Sequence, residues 1–269
     1  MVAGNNLHQI NKYIVAVILA FSFIFSTQNS HSKSMMMSEG EELFYEVSYM
    51  GIKLGSIKMI TNKMVDFKGK KVYKIKAFMD SYKGIPFVDL HATFESWVDP
   101  SVTYSHKFVG GVKHDIGWVT EEANFEYEKN LISFNQYMGN KNFKYEEKKT
   151  NKKWCDGASI FYFAREFVFS NRHFLVPTQM SFDTCSTQLN FIGKKENVEI
   201  SAVNYPVKTV FFNGQANWTG IYGLSGKFEG WFSDDQARIP IKAKLKVYVG
   251  SVTIELKSWK RKGWEPPKK

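Results

Sequence analysis

The stretch Ile239–Leu256 leaves the chain little choice of architecture. Ile239, Ile241, Ala243, Leu245, Val247 and Val249 take every second position, and Pro240, Lys242, Lys244, Lys246 and Tyr248 lie between them. A period of two is the pattern of a strand with one buried face and one wet one. After Gly250-Ser251 the phase flips: Val252, Ile254 and Leu256 are apolar, while Thr253, Glu255 and Lys257 are polar. A two-residue turn at Gly250-Ser251 accounts for the flip. It sets Val249 opposite Val252, Val247 opposite Ile254 and Leu245 opposite Leu256, all on one face.

The same alternation recurs over Glu42–Tyr49, Ile52–Thr61, Val72–Met79, Val88–Val98, Thr103–Val109 and Ile116–Glu128. Leu131–Phe134 and Phe143–Glu147 are shorter. Met50-Gly51, Phe67–Lys70 and Gly110-Gly111 are turn candidates, and a slip of phase around Gly55 predicts a bulge. Beyond residue 180, Met180–Thr184, Gln188–Ile192, Val198–Asn204, Val207–Phe212, Gln215–Thr219 and Gly226–Phe232 read as strands. Asn213-Gly214 carries the signature of a type I′ hairpin. Gly220, Gly223 and Gly226 read as bends, since no phosphate-loop Lys-Ser/Thr or helix follows. One helix stands out, Gly157–Phe169, with Ile160, Phe163, Ala164, Phe167 and Val168 at i, i+3, i+4 spacing and Asp156 at the N-cap. Many strands with one helix predict a mainly β fold: one large curved antiparallel sheet, or an open or half barrel, with a single amphipathic helix.

Tyr13–Phe25 is an uncharged apolar run of 13 residues after Lys12, followed by polar residues with Ser30 and Ser32. It reads as a secretory signal peptide over residues 1–32, too short for a comfortable span. The expected location is the periplasm, with an N-terminal inner-membrane anchor as the alternative. Residues 33–269 then form a single β-rich domain, with 33–40 a flexible lead and 258–269 a basic tail. The chain is formally +10 at pH 7, and Lys12 alone leaves with the signal, so the domain is +9. That balance suits anionic envelope surfaces; export argues against nucleic acid as the partner. Outside the cytosol, the two cysteines, Cys155 and Cys185, are expected to form a disulfide.

Four signatures together carry a resemblance: WFSDD-x-x-R-x-P at Trp231–Pro240, G-S-x-x-x-E-L at Gly250–Leu256, D-x-x-S-x-x-Y-x-x-R at Asp156–Arg165 and G-E-x-x-x-Y at Gly40–Tyr45. In these the chain is similar to a family of exported bacterial β-rich proteins known only as a domain of unknown function. The resemblance implies a periplasmic protein of a Gram-negative bacterium and transfers no catalytic residue. The expected architecture is also similar to that of half-barrel carriers of lipids or lipoproteins, a likeness of shape alone.

The densest polar cluster beside a strand is Asp234, Asp235 and Arg238, next to Trp231. It reads as a turn in which Asp caps backbone N–H groups, or as a head-group site at the sheet rim. On the helix, Asp156, Ser159, Tyr162 and Arg165 fall at three-residue intervals. Ser159 lacks a G-x-S-x-G elbow and a neighbouring His, so capping and packing are favoured over catalysis. His91, His106, His114 and His173 show no metal-ligand spacing, and no cofactor or metal is expected. Trp231, Asp234, Asp235, Arg238, Tyr162 and Arg165 are therefore the binding candidates, and no residue is assigned to catalysis. The expected function is a non-catalytic binding or carrier protein for an amphipathic envelope component, with its anionic part meeting the lysines. A structural or assembly partner of another envelope protein is the alternative, and a hydrolase the third. Peripheral membrane contact fits either of the first two.

Overall fold

The computed structural model describes residues 36–85, 89–220, 225–247 and 250–269. The expected signal peptide over residues 1–32, Val88, Gly223, Tyr248 and Val249 lie outside them. Residues 33–269 form one compact unit. Its strands are β1 (Glu41–Tyr49), β2 (Ile52–Phe67), β3 (Lys70–Ser81), β4 (His91–Val98), β5 (Ser105–His114), β6 (Gly117–Glu126), β7 (Leu131–Met138), β8 (Lys141–Lys149) and β9 (Cys155–Asp156). After the helix α1 (Ser159–Phe167) come β10 (His173–Met180), β11 (Asp183–Val198), β12 (Val207–Ala216), β13 (Gly226–Ser233), β14 (Pro240–Lys246) and β15 (Ser251–Lys260).

All fifteen strands of the described residues join one sheet, in the order β8-β7-β6-β5-β4-β3-β2-β1-β15-β14-β13-β12-β11-β10-β9. Each neighbouring pair is antiparallel except β9 with β10. The order is two meanders joined where β15 returns beside β1. The mainly β open sheet with one α-helix, expected from the alternation, is what the described residues form. Local chemistry sets its turns. Met50 and Gly51, like Lys68 and Gly69, both have positive φ, the conformation a two-residue I′ hairpin needs. The phase slip near Gly55 is a bulge, where Val47 pairs with Gly55 but Ser48 with Lys53.

The sheet rolls until its last strand meets its own inner face. Ser105 N–H donates to Trp154 O at 2.8 Å, and the Ser96 hydroxyl donates to the Asp156 carboxylate. On the other flank Lys144 lies 3.8 Å from the centre of the Phe182 ring, and Lys148 donates to Phe182 O. Helix α1 lies inside the roll. Ile160, Phe163, Ala164 and Val168 pack on Val176, Leu189, Phe191, Val210, Phe212 and Phe232. Tyr162, on the same helix, reaches the other half, among Leu43, Tyr45, Ile75 and Leu256. Fully burying one such aliphatic or aromatic side chain stabilises by about 1.5–3 kcal/mol.

Several expectations are corrected. The β14–β15 hairpin exists, but its register pairs Leu245 with Val252 and Ala243 with Ile254, not Leu245 with Leu256. The shift is even, so the apolar face is kept. Alternation fixes which face a residue takes, while the loop sets the pairing. Gly110-Gly111 is inside β5, and the turn comes at Asp115-Ile116. Asn213-Gly214 lies inside β12, and Val198–Asn204 is mostly irregular. The lead is not loose where it is described: Met36 and Met37 are buried in the core. The tail is docked too, with Trp264 buried and Lys208 N–H donating to Pro267 O.

The expected Cys155–Cys185 bridge is absent; both cysteines are free. Strand β10 lies between them, and Thr178 is the register partner of both. Two strand spacings put their Cα atoms about 9.6 Å apart, beyond the ~7 Å that a disulfide can span. Burial pushes the Cys155 thiol well up, so it behaves as a small apolar side chain. Non-reducing peptide mapping should return the two cysteines unlinked. Cys185→Ser should change stability by less than about 0.5 kcal/mol. A linked pair would mean that β10 is not between them.

Candidate functional site

The lower end of the roll, by the C-terminal half of α1, holds a buried polar hub. Glu41 and Arg165 are each 1% exposed. Arg165 Nη1 donates to Glu41 Oε1 at 2.7 Å and Nη2 to Oε2 at 3.2 Å. Arg165 also donates to Ala237 O at 2.9 Å and to Arg238 O at 3.1 Å. Arg261 Nη1 adds bonds to Glu41 Oε2 at 2.5 Å and to Met36 O at 2.9 Å. Burial works to raise the Glu41 pKa, but the two guanidinium groups outweigh it and hold the carboxyl below its ordinary value.

Of the remaining candidates, Asp235 and Arg238 brace the loop and helix end beside this hub, while Asp234 and Trp231 lie apart from it. Asp235 Oδ1 accepts from the Ser233 hydroxyl and from the N–H groups of Ala237 and Arg238, and Oδ2 accepts from Trp264 Nε1 at 2.7 Å. This is the turn-capping role that Asp takes in such loops. Arg238 Nη1 donates to Glu166 O at 2.6 Å, closing the C-terminal turn of α1, where a cation is favoured. Asp234 pairs with Lys195 at 2.8 Å. Trp231 is on the outer face, its Nε1 donating to Glu196 Oε2 at 2.6 Å. The hydroxyls of Tyr162 and Thr61 lie 2.9 Å apart, and burial pushes the Tyr162 phenol up to about 12. Three signatures far apart in sequence thus meet at one place: Glu41, Arg165 and the Ala237–Arg238 backbone. Their polar atoms hold the fold together.

At the other end of α1, Asp156 and Ser159 form a reciprocal cap. Asp156 Oδ1 accepts the N–H groups of Ala158 at 2.8 Å and Ser159 at 2.9 Å, and the Ser159 hydroxyl accepts from Asp156 N–H at 2.8 Å. Such a capping box satisfies otherwise orphaned helix donors. Ser105 also donates to the Ser159 hydroxyl, at 2.9 Å, and Ser159 is fully buried. The Ser159 hydroxyl itself meets the Ser105 hydroxyl and the Asp156 backbone, so among the described residues no side-chain base is hydrogen-bonded to it as a nucleophile would need.

What the polar candidates do not occupy is the upper inner face. Register places Glu41, Leu43, Tyr45, Val47 and Tyr49 on one side of β1, the side that meets α1 through Glu41. Glu41, Leu43 and Tyr45 are buried, while Val47 and Tyr49 are half-buried. On the neighbouring strands Ile254, Ala243 and Leu245 of the same face are half-buried, while Leu256 below them and Val252, the partner of Leu245, are buried. Across β2, β3 and β5, Ile57, Met79 and Val112 are half-buried as well, with Ala92 of β4 buried between the last two. Above the helix, therefore, the inner face is an apolar trough with partial access to solvent. At its floor the buried Tyr45 hydroxyl has no hydrogen-bond partner among the described residues. Sequence reasoning found these residues as one face of alternating strands. It missed the gradient, because only the position of α1 inside the roll decides which levels are covered.

The lysines of β14 are on the outer face and already engaged. Lys242 pairs with Glu255 at 3.0 Å, Lys246 with Glu229 at 3.7 Å, and Lys244 lies 5.8 Å from the Trp231 ring centre. Glu255 is held down at about 2, burial being outweighed by the Ser201 hydrogen bonds and by Lys242. Two shallow grooves, of about 300 and 330 Å³, also lie on the outer side of β3–β6, around Phe78, Thr93 and Trp118.

Residues 45–257 match the model of a family described as a protein of unknown function, DUF3108. The chain belongs to this family. No curated protein matches it. Among solved structures, this DUF3108 chain is similar to a β-barrel-like protein of a domain of unknown function, DUF1849, from Brucella abortus. The TM-score is 0.54 at 10% identity, over 82% of this chain and 96% of that one. A putative exported protein with a YmcC-like fold from Bacteroides fragilis gives 0.37 at 9%, over 83% and 97%. The DUF1849 likeness is one of fold: a β-barrel-like sheet. The DUF3108 family carries no catalytic assignment.

Proposed function

We propose that this DUF3108 protein is a non-catalytic binding or carrier protein for an amphipathic envelope component, a lipid, lipoprotein or lipopolysaccharide-like molecule, and that it works in the periplasm after export. The trough carries the reading: a curved apolar inner face, filled below by α1 and half exposed above. Half-exposed Val47, Ile57, Met79, Leu245 and Ile254 gain free energy when an acyl chain removes them from water, about 25 cal/mol per Å² of apolar surface. The uncharged run Tyr13–Phe25 after Lys12 supports export.

Lipid extraction and native mass spectrometry of protein purified from the periplasm should recover an acyl-bearing molecule. Leu245→Lys should abolish its recovery while shifting stability by no more than about 1 kcal/mol, because a lysine at a half-exposed position can carry its ammonium to water. Recovery of no lipid by the unmodified protein would sink the reading. An assembly role is the second reading, favoured by the edge strand β8, where Phe143 and Tyr145 are exposed beside its lysines. In-cell crosslinking that yields one dominant protein joined through β8, without lipid, would support it instead.

A further inference from the structure

The outer face of β3–β6 is two different surfaces. Its lower half is closed by charge pairs: Lys74 and Lys76 meet Glu95 at 2.7 and 2.5 Å, and Lys107 meets Glu122 at 2.8 Å. Its upper half is open. Register sets Phe78, Thr93, Gly111 and Thr120 in one row across the four strands, with Asp80 opposite His91 and Lys113 opposite Trp118 above it. The grooves of about 300 and 330 Å³ lie over this row and share Phe78, Thr93 and Trp118. Three strand spacings, about 14 Å, separate β3 from β6.

Gly111 shapes the floor. A Cβ there would lie 3.3 Å from the Trp118 ring and 3.2 Å from the Thr93 hydroxyl, so the missing side chain lets the indole lie across β5. Trp118 is 43% exposed, and Phe78, on the far side of Thr93, is half-buried. The polar groups have mixed sign. His91 Nδ1 and Asp80 Oδ1 lie 2.7 Å apart, while the Lys113 ammonium and the Thr93 hydroxyl have no partner among the described residues. A charged ligand of either sign would meet a like charge here. An acyl chain would strip water from Asp80, His91 and Lys113 and put no hydrogen bond in its place. A sugar does neither. Its C–H face packs on an aromatic ring, and its hydroxyls both donate and accept, most strongly with charged partners.

We propose that this groove binds a neutral oligosaccharide, one ring stacked on Trp118 and its hydroxyls bonded to Thr93, Asp80 and Lys113. The groove is on the face of the sheet opposite the trough, so the proposal goes beyond the carrier reading and does not depend on what the trough holds.

Titration with maltotetraose, cellotetraose and chitotetraose tests it, followed by NMR of the indole N–H groups. The Trp118 signal is identified among the seven tryptophans by its loss in Trp118→Phe. At least one of the three sugars should move it saturably and leave the Trp231 signal, on β13, in place. By calorimetry, Trp118→Ala should weaken that sugar roughly tenfold or more, since the ring supplies the apolar surface it covers. Thr93→Val should weaken it roughly threefold to tenfold, the worth of one hydrogen bond. Tetragalacturonate, an anionic glycan, should bind no better than the neutral sugars, because Asp80 repels it. No saturable shift with any of the three, parental affinity in Trp118→Ala, or tighter binding of tetragalacturonate would overturn the proposal. The trough variant Leu245→Lys should bind the sugar as the parent does, so loss of lipid and loss of sugar are separate results.

Discussion

Replacing Glu41 by alanine is expected to cost about 3–5 kcal/mol, the usual penalty for breaking a buried ion pair by removing one partner. The carboxylate receives both terminal nitrogens of Arg165 and one of Arg261. Without it, a guanidinium 1% exposed keeps only backbone carbonyls for company, and its charge cannot move to water. The loss should appear as a lowered denaturant midpoint with an unchanged slope. Glu41→Leu combined with Arg165→Met should recover much of it, since an apolar pair of similar volume carries no desolvation penalty. A single variant within about 1 kcal/mol of the parent would show that the hub is solvated.

Glu41 in the hub and Glu255 on the outer face give the pH dependence its sign. The Glu41 carboxyl is depressed below 4.5, and that of Glu255 lies at about 2. A carboxyl whose folded pKa is depressed contributes stability that is present above its unfolded value and lost as pH falls through the folded one. Stability should therefore decline from about pH 4.5 towards about pH 2, the window that Glu255 defines. Asp156 works the other way, because burial raises its pKa. A melt midpoint that stayed flat through that window would contradict the paired geometry.

Gly214→Val is the second large effect, expected at about 3 kcal/mol or more, the upper range of overpacking. A Cβ at Gly214 would lie 2.2 Å from the backbone oxygen of Gln188 and 2.4 Å from the Phe228 ring. The ring can turn, but the carbonyl belongs to the ladder between β11 and β12, where Leu189 pairs with Gly214. Relief requires the two strands to part, and strand hydrogen bonds are lost with them. Gln215→Val, one position on and exposed, should change stability by less than about 0.5 kcal/mol. Equal, small effects at both positions would place Gly214 in a turn, as the Asn-Gly pair suggests when taken alone.

That pair shows where local chemistry misleads. Asn-Gly favours a I′ hairpin, yet here the glycine makes room for the Phe228 ring and the Gln188 carbonyl. Gly110-Gly111 repeats the lesson inside β5, where a Cβ on Gly110 would crowd Phe94 and Phe108. Met50-Gly51 and Lys68-Gly69 are turns as well as turn-like, because alternation changes phase across them. The cysteines failed as a guide for a different reason. Compartment chemistry favours pairing, but β10 runs between them, and strand order is a property of the whole sheet.

The sequence by itself determined the class of fold, the inner and outer faces of most strands and the single helix with its Asp156 cap. Period two and the i, i+3, i+4 spacing are local consequences of backbone geometry, and each is legible in a few residues. It also singled out Arg165, Asp235 and Arg238, whose charges need partners, but not the partner Glu41, 124 positions away. Only the tertiary structure decided the register of β14 on β15, the burial of Met36 and Trp264, and the use of those charges as an internal hub. It alone decided where the apolar face stays half open. That depends on how far the sheet rolls and how much of its inside α1 fills, and both are set by contacts between residues far apart in the chain.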